Sequence, residues 1–119
     1  EFIMNPIGQS LILYIANHGF AYDAMKAARK AGAIGGTILH GRSSLSTEKA
    51  KFFGITLHPE KDILIIVCKD DQRDQLMQAI TADYGIHSEA QGLCFPLKVT
   101  DSIGFSFDPL DDEHLVSSK

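Results

Sequence analysis

The amino-acid sequence predicts an α+β domain, a βαββαβ order of elements that closes into an antiparallel sheet with two helices on one face. Three observations carry this expectation. Short aliphatic and β-branched runs stand at residues 11–16, 37–40, 63–68 and 93–99; two stretches between them set apolar residues on a helical stripe; and glycine, proline or asparagine punctuates most junctions. The 119 residues match one domain of the usual size of about 100–150 residues, and a 45% hydrophobic content is enough for a core without disulfides. We place the domain at residues 10–104, after an N-terminal extension at 1–9 and before an acidic C-terminal tail at 105–119 (Asp108, Asp111, Asp112, Glu113). Glu1, Phe2 and Ile3 precede Met4, read as a cloning remnant, and are left out of the fold reading.

The run Leu11-Ile12-Leu13-Tyr14-Ile15-Ala16 is apolar throughout, as expected of a strand covered on both faces or buried in an oligomer, and ends at the turn signal Asn17-His18-Gly19. A helix is expected over residues 22–31. Ala21, Met25, Ala28 and Ala31 share its inner stripe, while Asp23, Lys26, Arg29 and Lys30 mostly face away. Such small residues allow close approach to a sheet, and Gly32 stands where a glycine would end the helix.

Gly35-Gly36 leads into the second strand, Thr37-Ile38-Leu39-His40, which stops at Gly41. Residues 41–53 are polar and long for a connection in a compact domain, as functional loops are, with room for one helical turn opened by Ser46 and closed by Gly54. Ile55-Thr56-Leu57-His58 alternates like a half-exposed strand. After Pro59-Glu60-Lys61 the run Ile63-Leu64-Ile65-Ile66-Val67-Cys68 reads as a buried one, so the two form a long, interrupted strand.

Asp70 or Asp71 is expected to cap the second helix, whose stripe is Leu76, Met77, Ile80 and Tyr84 and whose stop is Gly85. In the last strand Pro96 points to an edge position or a bulge. This order is the ferredoxin-like split βαβ. One face of its sheet stays open, and strands apolar at nearly every position predict that further copies of the chain cover it.

Charge and composition exclude several classes. Eleven Lys and Arg against fifteen Asp and Glu leave a net charge of -4, with no long basic cluster, so nucleic-acid binding is not expected. No apolar run reaches the roughly 20 residues that cross a bilayer, so membrane insertion is not expected either. Cys68 and Cys94 sit in apolar runs without metal-type spacing and read as reduced core residues of a cytoplasmic protein.

Two polar, glycine-containing places stand out. Gly35-Gly36-Thr37 with Gly41-Arg42-Ser43-Ser44 is one, and Ser88-Glu89-Ala90-Gln91-Gly92 is the other. Freed backbone amides, a guanidinium and hydroxyls are what a phosphate group requires, and this topology is read as bringing the two places together. The spacing matches no standard phosphate loop, and tight turns explain the same glycines. His18, His40, His58 and His87 show no ligand spacing, so no metal site is expected, although His40 and His58 could face each other. Ser43, Ser44 and Ser46 lack a base, so no enzymatic activity is expected. Phe52-Phe53 in a polar segment marks a contact surface or a hairpin anchored on the core.

The run Ala27-Ala28-Arg29-Lys30-Ala31-Gly32-Ala33-Ile34-Gly35-Gly36-Thr37-Ile38-Leu39-His40-Gly41-Arg42, then Lys51-Phe52-Phe53-Gly54-Ile55 and Gln91-Gly92-Leu93, resembles the PII nitrogen-regulatory family, in particular a PII-like branch common in Gram-positive bacteria. The resemblance implies a homotrimer that binds an adenine nucleotide (ADP or ATP, with AMP a further candidate) in clefts between subunits. It also implies control of a transporter or enzyme of nitrogen metabolism through a T-loop, here residues 41–53. Carried over, the nucleotide site is Gly36, Thr37, His40, Gly41, Arg42, Ser43, Gln91, Gly92 and Leu93, and the partner-binding loop is Ser44, Ser46, Lys49, Phe52 and Phe53.

Two departures bear on the ligand. Leu93 replaces the lysine of classical members, and Ile103-Gly104-Phe105-Ser106 replaces their basic residues after the last strand. Each missing charged contact removes about 1.5–3 kcal/mol, which disfavours ATP with Mg²⁺ and favours a less charged nucleotide. Two other readings are a CutA-like trimeric metal-binding protein using His40, His58 or a cysteine, and an interaction module working through Phe52-Phe53.

Overall fold

The computed structural model describes residues 8–44 and 59–105. β1 (Gln9–Asn17) is followed by α1 (Ala21–Lys30), β2 (Thr37–Arg42), β3 (Glu60–Lys69), a 3-10 turn (Asp70–Gln72), α2 (Arg73–Tyr84) and β4 (Leu93–Val99). The strands form one antiparallel sheet in the order β2-β3-β1-β4. This is the ferredoxin-like α+β fold that the element order predicts.

Both helices lie on one face because only that face of β1 and β3 meets a helical stripe. Ile12, Tyr14 and Ala16 alternate inward from β1, and Leu64, Ile66 and Cys68 from β3. Register pairs Ile12 with Ile66 and Tyr14 with Leu64, so large and aromatic side chains stack across the two central strands. Ala21, Ala24, Met25 and Ala28 of α1 and Leu76 and Ile80 of α2 close the core. Each large aliphatic side chain so buried contributes about 1.5–3 kcal/mol. The alanine-rich stripe lets α1 come close, and Gly36 shows how close: a Cβ there would stand 2.9 Å from both the Ile65 carbonyl oxygen and Met25 Sδ.

α1 ends as its sequence predicts, with Gly32 at φ +114° just beyond Ala31. Pro96 lies on β4, an edge strand, where its missing N–H is harmless. The expected cap of the second helix does not form. Asp70 sits in the 3-10 turn, α2 starts at Arg73, and no side chain caps it. The Asp70 carboxylate instead accepts from Ser10 Oγ at 2.6 Å and Lys98 Nζ at 3.2 Å, which tie it to β1 and β4. Donors on two strands outcompete the amides of a single turn. Glu60 and Lys61, expected to interrupt a strand, belong to β3, since Arg42 and Gly41 pair with them across the ladder. Residues 55–58 and the helical turn expected at Ser46 lie outside the described residues.

Candidate functional site

The residues singled out by sequence fall on the two edges of the sheet. On the β2 edge, Gly35, Gly36 and Thr37 line a cleft of about 300 Å³ with Ile34, Ile65, Val67 and Phe105. Gly41 and Arg42 end β2, and Ser43 follows, its amide donating to the Pro59 carbonyl at 2.6 Å. Alternation divides this set. Ile38 packs against the core, so His40 and Arg42 share its helix-side face, while Thr37, Leu39 and Gly41 turn to the open face. The Arg42 guanidinium donates to Glu60 Oε1 at 2.7 Å, an exposed pair that a phosphate has to compete with.

On the other edge, the turn 85–92 delivers Gln91, Gly92 and Leu93 to β4. Gly92 and Leu93 border a cleft of about 680 Å³ with Gly85, His87, Ser88 and Cys94. The amides of Gln91 and Gly92, candidate phosphate donors, are spent inside this turn: they donate to Ser88 O and Gly85 O at 3.0 Å each. Gly92 is required for packing, since a Cβ would overlap the Tyr84 carbonyl oxygen and stand 2.7 Å from Tyr14 Oη. Tyr14 donates its hydroxyl to that same carbonyl at 2.7 Å. Gln91 holds φ +48°, and Asn17 fixes the turn, its amide N–H donating to Ala90 O at 2.8 Å and its Nδ2 to Glu89 O at 2.9 Å. Burial pushes the Cys94 thiol up to about 11 and also raises Cys68, the state of unreactive core cysteines.

Within one chain these halves do not meet, contrary to the expectation that the topology joins them. β3 and β1 stand between β2 and β4, and three strand spacings amount to about 14 Å. The sheet face between them is apolar, and Leu39, Leu93, Phe95 and Leu97 on its edge strands are each about half exposed. Of the expected partner-binding loop only Ser44 is described, exposed just after β2; Ser46, Lys49, Phe52 and Phe53 lie outside the described residues.

A second cluster was not anticipated. Asp62, 2% exposed, faces the helix side of β3 opposite His40. Its Oδ1 accepts from His18 Nδ1 and His40 Nδ1 at 2.9 Å each, and its Oδ2 from the Gly19 amide at 2.9 Å. Burial opposes its charge, but the Gly19 amide and the two imidazoles more than compensate, so the carboxyl titrates below its ordinary range. The two rings meet edge to face, 5.4 Å between centroids. Sequence reading weighed His40 with His58 and left Asp62 aside, since it stands beside Glu60 and Lys61 at the charged start of β3.

No protein-family model matches the chain, and no curated protein matches it in sequence. Solved structures match its shape. A PII-like signalling protein from Thermus thermophilus superposes with TM-score 0.59 at 15% identity, covering 78% of this chain and 87% of that one. The chain has the PII-like fold. CPII from Thiomonas intermedia, bound to ADP, AMP and acetate, matches with TM-score 0.59 at 13% identity over 78% of this chain and 87% of that one. CutA from Synechococcus elongatus reaches 0.62 at 17% identity, over 86% and 85%. PII-like and CutA proteins thus share this architecture with the chain.

Proposed function

We propose that the chain is a non-catalytic, cytoplasmic PII-like signalling protein that assembles as a homotrimer and binds an adenine nucleotide in the clefts between subunits. Through residues 41–53 it would regulate a transporter or enzyme of nitrogen metabolism. The observation that carries this reading is the division of the candidate site between the β2 and β4 edges, flanking an apolar sheet face whose edge-strand residues are half exposed. Two half-sites that one chain holds apart are completed when a second copy brings its β4 edge to the β2 edge of the first. Similar folds support the ligand class: CPII is bound to ADP and AMP, and a GlnK from B. subtilis forms a complex with ATP.

The local chemistry favours the less charged nucleotides. Leu93 offers no charge, Arg42 is already paired with Glu60, and the Gln91 and Gly92 amides are occupied. ADP or AMP, without a requirement for Mg²⁺, is the ligand this arrangement suits. Calorimetry at high protein concentration with ATP, ADP and AMP, each with and without Mg²⁺, tests the proposal. We expect heat with ADP or AMP and weaker or no heat with ATP; silence with all three refutes the nucleotide reading.

A further inference from the structure

We propose that His18, His40 and Asp62 form a binding site for a borderline divalent transition-metal ion of the Zn²⁺ or Cu²⁺ class. The cluster shares His40 with the residues carried over as the nucleotide site and lies on the helix-side face of the sheet, opposite the face to which Thr37 and Gly41 turn.

Convergence is the first argument. Two imidazole nitrogens aim at one carboxylate oxygen, each 2.9 Å from it, and the three candidate ligand atoms lie within 4.8 Å of one another. Zn–N and Zn–O bonds of about 2.0–2.2 Å separate tetrahedral ligands by about 3.4 Å. Admitting an ion therefore opens each of the two histidine–carboxylate gaps by about half an ångström, a movement available to histidine side chains that are 64% and 67% exposed. Each neutral ring shifts its proton from Nδ1 to Nε2, turning a lone pair toward the ion with no net proton exchange.

Orientation is the second. The Gly19 amide holds Asp62 Oδ2, which leaves Oδ1 facing the histidines, the kind of outer contact that fixes a metal-ligating carboxylate. The carboxyl is ionised well below neutrality, as a ligand must be. Solvent reaches the two rings, so the remaining coordination position is open to water or an exogenous ligand.

Ligand type selects the ion. Two imidazoles and one carboxylate suit Zn²⁺, Cu²⁺ or Ni²⁺ and not Mg²⁺ or Ca²⁺, which prefer all-oxygen shells. The three ligands come from the β1–α1 turn, β2 and β3. Occupancy would thus clamp the root of the 41–53 segment to the central sheet.

The test uses the metal-free full chain, titrated with Zn²⁺ against a chromophoric chelator and with Co²⁺ followed by absorption. We expect one equivalent of Zn²⁺ per chain, at least a tenfold weaker affinity in His18→Gln and in His40→Gln, and d–d bands for Co²⁺ without a thiolate charge-transfer band. Both substitutions replace exposed side chains, and far-UV circular dichroism of the metal-free variants verifies that they fold. If one of the two variants is unfolded, the other decides. Wild-type affinity in the variants, a thiolate band implicating Cys68 or Cys94, or no Zn²⁺ uptake at roughly millimolar concentration overturns the proposal and leaves the cluster a hydrogen-bonded staple.

Discussion

The two faces of the sheet are built from the same kinds of residue and have opposite fates. Ile12, Tyr14, Leu64 and Ile66 on the helix side are 0% exposed, whereas Leu39, Leu93, Phe95 and Leu97 on the other side are 45–48% exposed. Alternating β1 residues make the contrast local: Ile12 and Tyr14 are buried, and Leu11, Leu13 and Ile15 between them only half so. Apolar content therefore does not say which face is the core. The helices decide that within the chain, and the second face has the residues of a core without a helix packed on it among the described residues.

The comparison can be broken most severely from the helix side. Leu64→Ala removes a fully buried side chain that pairs with Tyr14 across the sheet. We expect a loss of about 2–5 kcal/mol, the usual range for such a truncation, seen as a lower denaturant midpoint with an unchanged slope. A loss below about 1 kcal/mol would mean that this face is not the core.

How much of this was legible in the sequence differs by region for physical reasons. Helix α1, its glycine stop and the edge proline in β4 were readable because they follow from local backbone rules, which Gly32 and Pro96 obey without tertiary help. The start of α2 was misread because a nonlocal pair, Ser10 and Lys98, captures Asp70. The edge division of the candidate site was invisible because strand order is a property of pairing and not of sequence order. His18 and Asp62 are 44 positions apart, so their contact leaves no spacing signal, and Asp62 does not stand out because it directly follows the charged Glu60 and Lys61.

A smaller and pH-dependent effect is expected at Asp62, the one charged side chain that is buried among the described residues. The groups facing it are His18, His40 and the Gly19 amide. Because its carboxyl titrates below its unfolded value of about 3.9, its contribution is fully present above that pH and disappears as pH falls through the folded value. Asp62→Asn keeps the shape and removes the charge. At pH 7 it should cost about 1.5–3 kcal/mol, the range for hydrogen bonds to a charged group, and the difference from wild type should shrink toward pH 2. An equal deficit at both pH values would show that shape rather than charge matters there.

The smallest effect on the folded chain, and the largest on its assembly, is expected from Leu13→Glu. Leu13 occupies the middle of the open face, in register with Ile65 on one side and Phe95 on the other. A carboxylate there meets water in an isolated chain, so stability of the monomer should change by about 1 kcal/mol or less. In an assembly the same carboxylate is forced against apolar neighbours without a partner, which costs several kcal/mol per copy. Sedimentation velocity should therefore give a single-chain mass for the variant and a three-chain mass for the wild type, with similar far-UV circular dichroism. A variant that keeps the wild-type mass would place the subunit contact elsewhere.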